Sequence, residues 1–141
     1  NMPLSDDADV RRVLDAETVA VVGCSTTPGK PAHDVPAYLQ RHGYRVIPIN
    51  PFADAVLGEP AYGELAAVES PVDVVDVFRP SEEVPTILDA VRTRHADRGD
   101  AETAWLQLGI RHDDAVAAAE ADGLDVVEDR CMKIEHERLI G

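Results

Sequence analysis

Residues 19–31 read Val19-Ala20-Val21-Val22-Gly23-Cys24-Ser25-Thr26-Thr27-Pro28-Gly29-Lys30-Pro31. A β-branched, apolar run with no polar break predicts a strand buried on both faces, which means a parallel sheet. The run ends in Gly-x-Ser, crosses a loop of small residues and enters a helix from about Ala32. Such a strand, loop and helix direct backbone N–H groups and a positive helix end at one spot, where an anion can sit. Lys30 stands in that loop and is one of two lysines in a 141-residue chain of formal charge −14. A lysine kept there predicts a negatively charged ligand, and the segment is read as a nucleotide-phosphate loop.

The rest of the chain repeats the strand-then-helix alternation. Ser5-Asp6-Asp7 supplies an N-cap and acidic first turn for a short helix through Leu14. The first strand is expected at 19–24, and a helix from about residue 32 carries Val35, Tyr38 and Leu39 on its apolar stripe. Pro36 requires that its position fall in the first turn, and Gly43 stops the helix. The second strand is 44–49, followed by an irregular stretch over 52–71 with a short helix near 62–68. The third strand is 72–78. Ser81 is expected to cap a helix whose Val84, Ile87, Leu88 and Val91 share one face, with Pro85 near its start. Residues 96–102 read as a charged loop, 103–108 as the fourth strand, and 112–122 as an Ala-rich helix stopped by Gly123. The fifth strand is 124–127 and a last helix spans 130–139.

Strands alternating with amphipathic helices predict a single domain over 1–141: a three-layer, doubly wound α/β sandwich on a parallel five-stranded sheet. Residues 1–18 form the N-terminal helix and lead-in. The expected strand order is 3-2-1-4-5, with the ligand at the carboxyl ends of the strands where the order reverses, between strands one and four. Polar residues do gather at those ends: Ser25, Lys30, Asn50, Arg79, Gln107 and the Asp129-Arg130-Cys131 turn.

Charge narrows the partners. Twenty-seven Asp and Glu stand against 13 Lys and Arg, a field that repels nucleic acid and anionic lipid. The near absence of lysine, with abundant Asp, Ala and Val, is the composition of a salt-adapted protein. Two cysteines make no disulfide framework. The polar, acidic residues 1–9 lack a signal peptide's basic start and apolar centre, so a cytoplasmic location is expected. Two copies could pair through a sheet edge or the last helix, and a protein partner is equally open.

The common ligand of such a sheet is NAD, and the residues oppose it. The dinucleotide fingerprint needs G-x-G-x-x-G and an acidic residue ending the second strand. Here Gly23 is followed by Ser25 and Pro28, and the second strand ends in Pro48-Ile49-Asn50-Pro51.

Several blocks, in order, resemble the small single-domain CoA-binding proteins, which are related to the N-terminal domain of the succinyl-CoA synthetase alpha subunit. They are Gly23-x-Ser25 with Pro28, Lys30-Pro31-Ala32-His33 and Gly43-Tyr44-Arg45-Val46-Ile47-Pro48-Ile49-Asn50-Pro51. Tyr38-Leu39, Leu57-Gly58, Val72-Asp73-x-Val75-Asp76-Val77-Phe78-Arg79, Trp105-Leu106-Gln107-Leu108-Gly109-Ile110 and Val127-x-Asp129-Arg130-Cys131 with Glu135-His136 complete the set. The resemblance implies a Rossmann-like CoA-binding fold with coenzyme A, or an acyl-CoA, lying across the strand ends. It implies that Gly23, Ser25, Thr26 and the loop to Lys30 hold the pyrophosphate, and that Asn50 and Pro51 border the adenosine. Phe78 and Arg79 would form the third-strand side of the cleft. Backbone donors with a charge-assisted lysine or arginine suit the diphosphate of such a ligand; Lys30 and His33 both remain open for that contact.

Each residue also has a plainer reading: Ser25 capping the turn, Asn50 satisfying it, Arg79 pairing with Asp76 or Glu82, Phe78 and Trp105 packing in the core. Gln107 could satisfy loop backbone, and Cys131, a small buried thiol, could alternatively meet the pantetheine sulfur. No nucleophile–base–orienter set, metal-spaced cluster or Walker loop stands in the sequence. In the related synthetase, catalysis uses a histidine on a further domain and a partner subunit. The expectation is therefore a non-catalytic binding module. The alternatives are an enzyme or enzyme subunit acting on acyl-CoA or another nucleotide, and an interaction domain with no ligand.

Overall fold

The structure is a computed structural model that describes residues 2–141. Five parallel strands form the central sheet: β1 (Thr18–Val22), β2 (Arg45–Ile49), β5 (Val74–Val77), β6 (Thr103–Leu106) and β7 (Asp125–Val127). A two-stranded antiparallel excursion, β3 (Ala55–Val56) and β4 (Glu59–Pro60), follows β2. The helices are α1 (Asp7–Leu14), α2 (Pro31–Arg41), α3 (Val84–Arg98), α4 (Asp113–Ala121) and α5 (Met132–Leu139). None is long and apolar enough to cross a membrane.

Alternation along each strand divides the core into two layers, as the pleat requires. Val19, Val21, Val46, Val74, Trp105 and Val127 face α1, α2 and α5. Ala20, Ile47, Val75, Val77, Ala104, Leu106 and Val126 face α3 and α4. Trp105 is fully buried and donates its indole N–H to the Arg130 carbonyl at 2.8 Å, which fixes the turn after β7.

The strand order is β2-β1-β5-β6-β7, so the expected 3-2-1-4-5 is corrected. The third long strand crosses back to pair with β1, Val21 opposite Asp76, instead of extending the sheet beyond β2. The physical reason lies in β2 itself. Pro48 has no N–H, and a strand interrupted by proline belongs at a sheet edge. Its outer side is taken by Tyr62, whose N–H donates to the Pro48 carbonyl at 3.0 Å while its own carbonyl accepts from Asn50 N at 2.8 Å. The order reverses between β1 and β5, which still brings Gly23 against Phe78 and Arg79.

Helix boundaries differ from expectation in three places that matter. Pro36 lies in the second turn of α2, because the helix already begins at Pro31. Ser81 opens a short 3-10 turn over Ser81–Glu83 and does not cap α3; its hydroxyl accepts the Arg111 N–H at 3.0 Å. α3 runs on to Arg98, through residues expected as loop. There Arg94, 5 % exposed, donates to the carbonyls of Leu65, Val68 and Ser70 and pairs with Asp100 at 3.0 Å. A buried guanidinium satisfied by three carbonyls and a carboxylate fastens the 65–70 segment to α3.

Candidate functional site

The carboxyl ends of β1, β2 and β5 converge on Gly23. Its N–H donates to the Ile49 carbonyl at 3.1 Å, and Phe78 N donates to the Val22 carbonyl at 2.9 Å. Gly23 has φ +84°, and a Cβ there would stand 2.8 Å from the Phe78 carbonyl oxygen and 2.9 Å from Arg79 Cδ. Only glycine permits that dihedral without strain and that approach without a clash.

The loop beyond Gly23 is tied to α2 by an unusual bond. Pro36 cannot donate to the carbonyl four residues back, which is Ala32. The freed Ala32 carbonyl accepts the Ser25 N–H instead, at 2.9 Å. Ser25 Oγ in turn accepts from Thr27 N at 3.0 Å. Asp34 Oδ1 accepts from Gly29 N at 3.0 Å and lies 3.1 Å from His33 Nδ1. The Gly29 hydrogen bond, then the His33 contact, holds the Asp34 carboxyl below its usual range. Two loop amides are therefore engaged, one by Ser25 of the loop itself and one by Asp34 in the first turn of α2. The start of α2, with Lys30 at its N-cap position and no side-chain cap, is what the loop turns toward the rim.

Two clefts open along this rim. The first, about 720 Å³, brings together Gly23, Ser25, Lys30, Asn50, Pro51, Phe78 and Arg79. The second, about 780 Å³, brings Lys30, Phe78 and Arg79 together with Gln107 and Cys131. Lys30, Ala32, Phe78 and Arg79 line both, forming a ridge between them. Each volume suits a small-molecule site. Thr26 and His33 line neither cleft.

Several side chains at the rim are already partnered. Asn50 bridges two strand ends, donating Nδ2 to the Cys24 carbonyl at 2.9 Å and accepting from Phe52 N at 2.8 Å. Arg79 forms a two-pronged ion pair with Glu83, at 2.7 and 3.2 Å, and not with Asp76 or Glu82. Gln107 is buried, and its Oε1 accepts from Met132 N at 3.2 Å, holding the start of α5. Cys24 is buried, and burial, with the nearby Asp76 second, pushes its thiol up to about 12.

Sequence reasoning missed part of the first cleft: Phe52, Glu64, Leu65, Thr86 and Ile87. Phe52 is 95 % exposed at the lip, and its place after Asn50-Pro51 was the available signal. Thr86 and Ile87 were not separable from the core stripe of α3, because one helix turn serves both core and cleft.

Residues 17–137 match the CoA binding domain family. The chain is 33 % identical over 130 residues to the uncharacterized protein YneT of Bacillus subtilis (strain 168), covering 92 % of this chain and 93 % of that protein. The solved structure of cell-free ID.343 from Thermus thermophilus superimposes with a TM-score of 0.89 at 40 % identity, covering 96 % of this chain and 100 % of that one. A segment of 82 residues, 57 % of this chain, is 30 % identical to 12 % of the ADP-forming acetate–CoA ligase II of Archaeoglobus fulgidus. With its parallel sheet, its glycine turn at the strand ends and a family match across most of its length, this chain belongs to the CoA binding domain family.

Proposed function

We propose that this protein is a non-catalytic module that binds coenzyme A, or an acyl-CoA, across the ends of β1, β2 and β5, in a salt-rich cytoplasm. The adenosine half occupies the first cleft between Asn50-Pro51 and the α3 wall. The diphosphate crosses the Lys30–Phe78–Arg79 ridge at the start of α2, where the helix dipole and two cations favour negative charge. The pantetheine arm enters the second cleft over Phe78 and Gln107, toward Cys131. One observation carries this reading: two adjoining clefts share a cationic ridge at a helix N-terminus, the shape that a long ligand with a charged middle demands.

The non-catalytic part of the proposal rests on the state of the groups that reach the rim. The Cys24 thiol is held protonated at neutral pH by burial, which removes it as a nucleophile. His33 is turned to Asp34, outside both clefts. A thermal-shift panel of CoA, acetyl-CoA, NAD, FAD and ATP in high salt tests the ligand. CoA at a hundred times its dissociation constant stabilises the folded state by about 2.7 kcal/mol. A response to NAD without one to CoA contradicts the proposal.

A further inference from the structure

The second cleft has an aliphatic wall. Beyond Gln107 and Cys131 it is lined by Leu108, Ile110 and Ile134, with Lys133 and Glu137 among its charged members. Leu108 is 60 % exposed and Ile134 50 % exposed, large aliphatic groups left in water on a molecule of formal charge −14. Ile110 packs partly on the α3–α4 core, so this wall has a fixed base. Exposed apolar side chains that gather around one concavity mark a binding surface more often than chance decoration.

We infer that the second cleft holds the aliphatic acyl chain of a short- or medium-chain acyl-CoA, with Leu108, Ile110 and Ile134 as the chain-binding wall. The inference rests on the reading of the rim given above and adds the class of acyl group. A free thiol is small and polar and gains little from three aliphatic side chains. An uncharged hydrocarbon tail gains in proportion to the area it removes from water. Leu108, Ile110 and Ile134 line the same cleft as Gln107 and Cys131, toward which the pantetheine arm runs, so the chain follows directly from the thioester. A second copy of this protein is the weaker occupant, because two molecules of this charge repel at the contact.

Calorimetric titration of the whole chain with CoA, acetyl-, butyryl-, hexanoyl- and octanoyl-CoA tests this. Affinity is expected to rise by about two- to fourfold per methylene, so that hexanoyl-CoA binds at least tenfold more tightly than CoA. Ile134→Glu and Leu108→Asp, at half-exposed positions where folding is spared, are expected to flatten that series, read as the ratio of hexanoyl-CoA to CoA affinity within each variant. CoA binding with no gain along the series overturns the acyl assignment alone. A gain that both variants retain overturns the placement of the wall. Absence of CoA binding overturns the underlying reading of the rim. Light scattering that shows a dimer dissolved by Ile134→Glu assigns the wall to a self-interface and likewise overturns the inference.

Discussion

Asp76 lies fully buried on β5, opposite Val21 on one side and Trp105 on the other, and neither carboxyl oxygen has a hydrogen-bond partner among the described residues. Burial raises its pKa well above the ordinary value, against a smaller opposing effect of the Val77 N–H. In the unfolded chain the group ionises near pH 4; in the folded chain it stays protonated to higher pH. Stability therefore falls as pH rises from the unfolded pKa toward the folded one, by about 1.4 kcal/mol per pH unit in that window. Asp76→Asn removes the slope. Denaturant melts are expected to show the variant gaining on the parent protein from pH 4 upward, and parallel curves would contradict this. A second residue-scale prediction concerns Glu83, which holds Arg79 in an exposed ion pair. An exposed pair is weak and screened by solvent, so Glu83→Gln, by freeing the guanidinium, is expected to tighten CoA binding about two- to fivefold. Unchanged or weaker affinity in a direct titration would remove Arg79 from the ligand's reach. The role of Arg79 was visible in the sequence only as a cation at a strand end. Its partner was not, because the 3-10 turn that rotates Glu83 into place has no distinct sequence signature.

At the scale of elements, α2 and the Gly23 loop form one device. A proline inside the helix frees the Ala32 carbonyl, and Ser25 takes it. Pro36→Ala restores a helical donor that competes for the same oxygen. Hydrogen exchange is expected to show the Ser25 amide opening at least about tenfold faster, a free-energy change of roughly 1.4 kcal/mol, while the melting temperature does not fall. Unaltered exchange at Ser25 would show that the loop holds itself without the helix. The five sheet strands and the helices between them were legible, since periodicities of 2 and 3.6 follow directly from burial on a sheet or a helix face, whereas the β3–β4 hairpin and the last turn of α3 were read as irregular chain. Pairing was less legible. The rule placing proline at sheet edges was written in Pro48, yet the expected order set another strand outside β2. The 3-10 turn at Ser81 escaped for a different reason: its hydroxyl is claimed by Arg111, thirty residues on.

Over the whole molecule, the excess of acidic side chains predicts a stability that depends on salt. Acidic residues outnumber basic ones by 27 to 13, and ion pairs such as Arg138–Asp7 at 2.8 Å and Arg130–Glu135 at 2.6 Å offset only part of the repulsion. Raising KCl from about 0.1 M to about 1 M shortens the screening length from roughly 10 Å to roughly 3 Å. Net repulsion relieved by about 1 kcal/mol raises the melting temperature by roughly 3–4 °C in a domain of this size. A melting temperature that falls with salt would show that the ion pairs outweigh the excess charge. The fold class was readable from residue order alone, because strand ends and helix starts are fixed by chain direction, but the reversal expected between strands one and four lies between the first and third long strands. The division of the rim into two clefts was not readable, since it depends on how Phe78 and Arg79 stand between layers that the sequence leaves unplaced. The most direct test of the account is a crystal structure of the protein grown with coenzyme A. The predicted result is a ligand spanning both clefts, its diphosphate over the Gly23 turn beside Lys30 and its adenine next to Pro51. Density for the nucleotide on any other face of the sheet would contradict it.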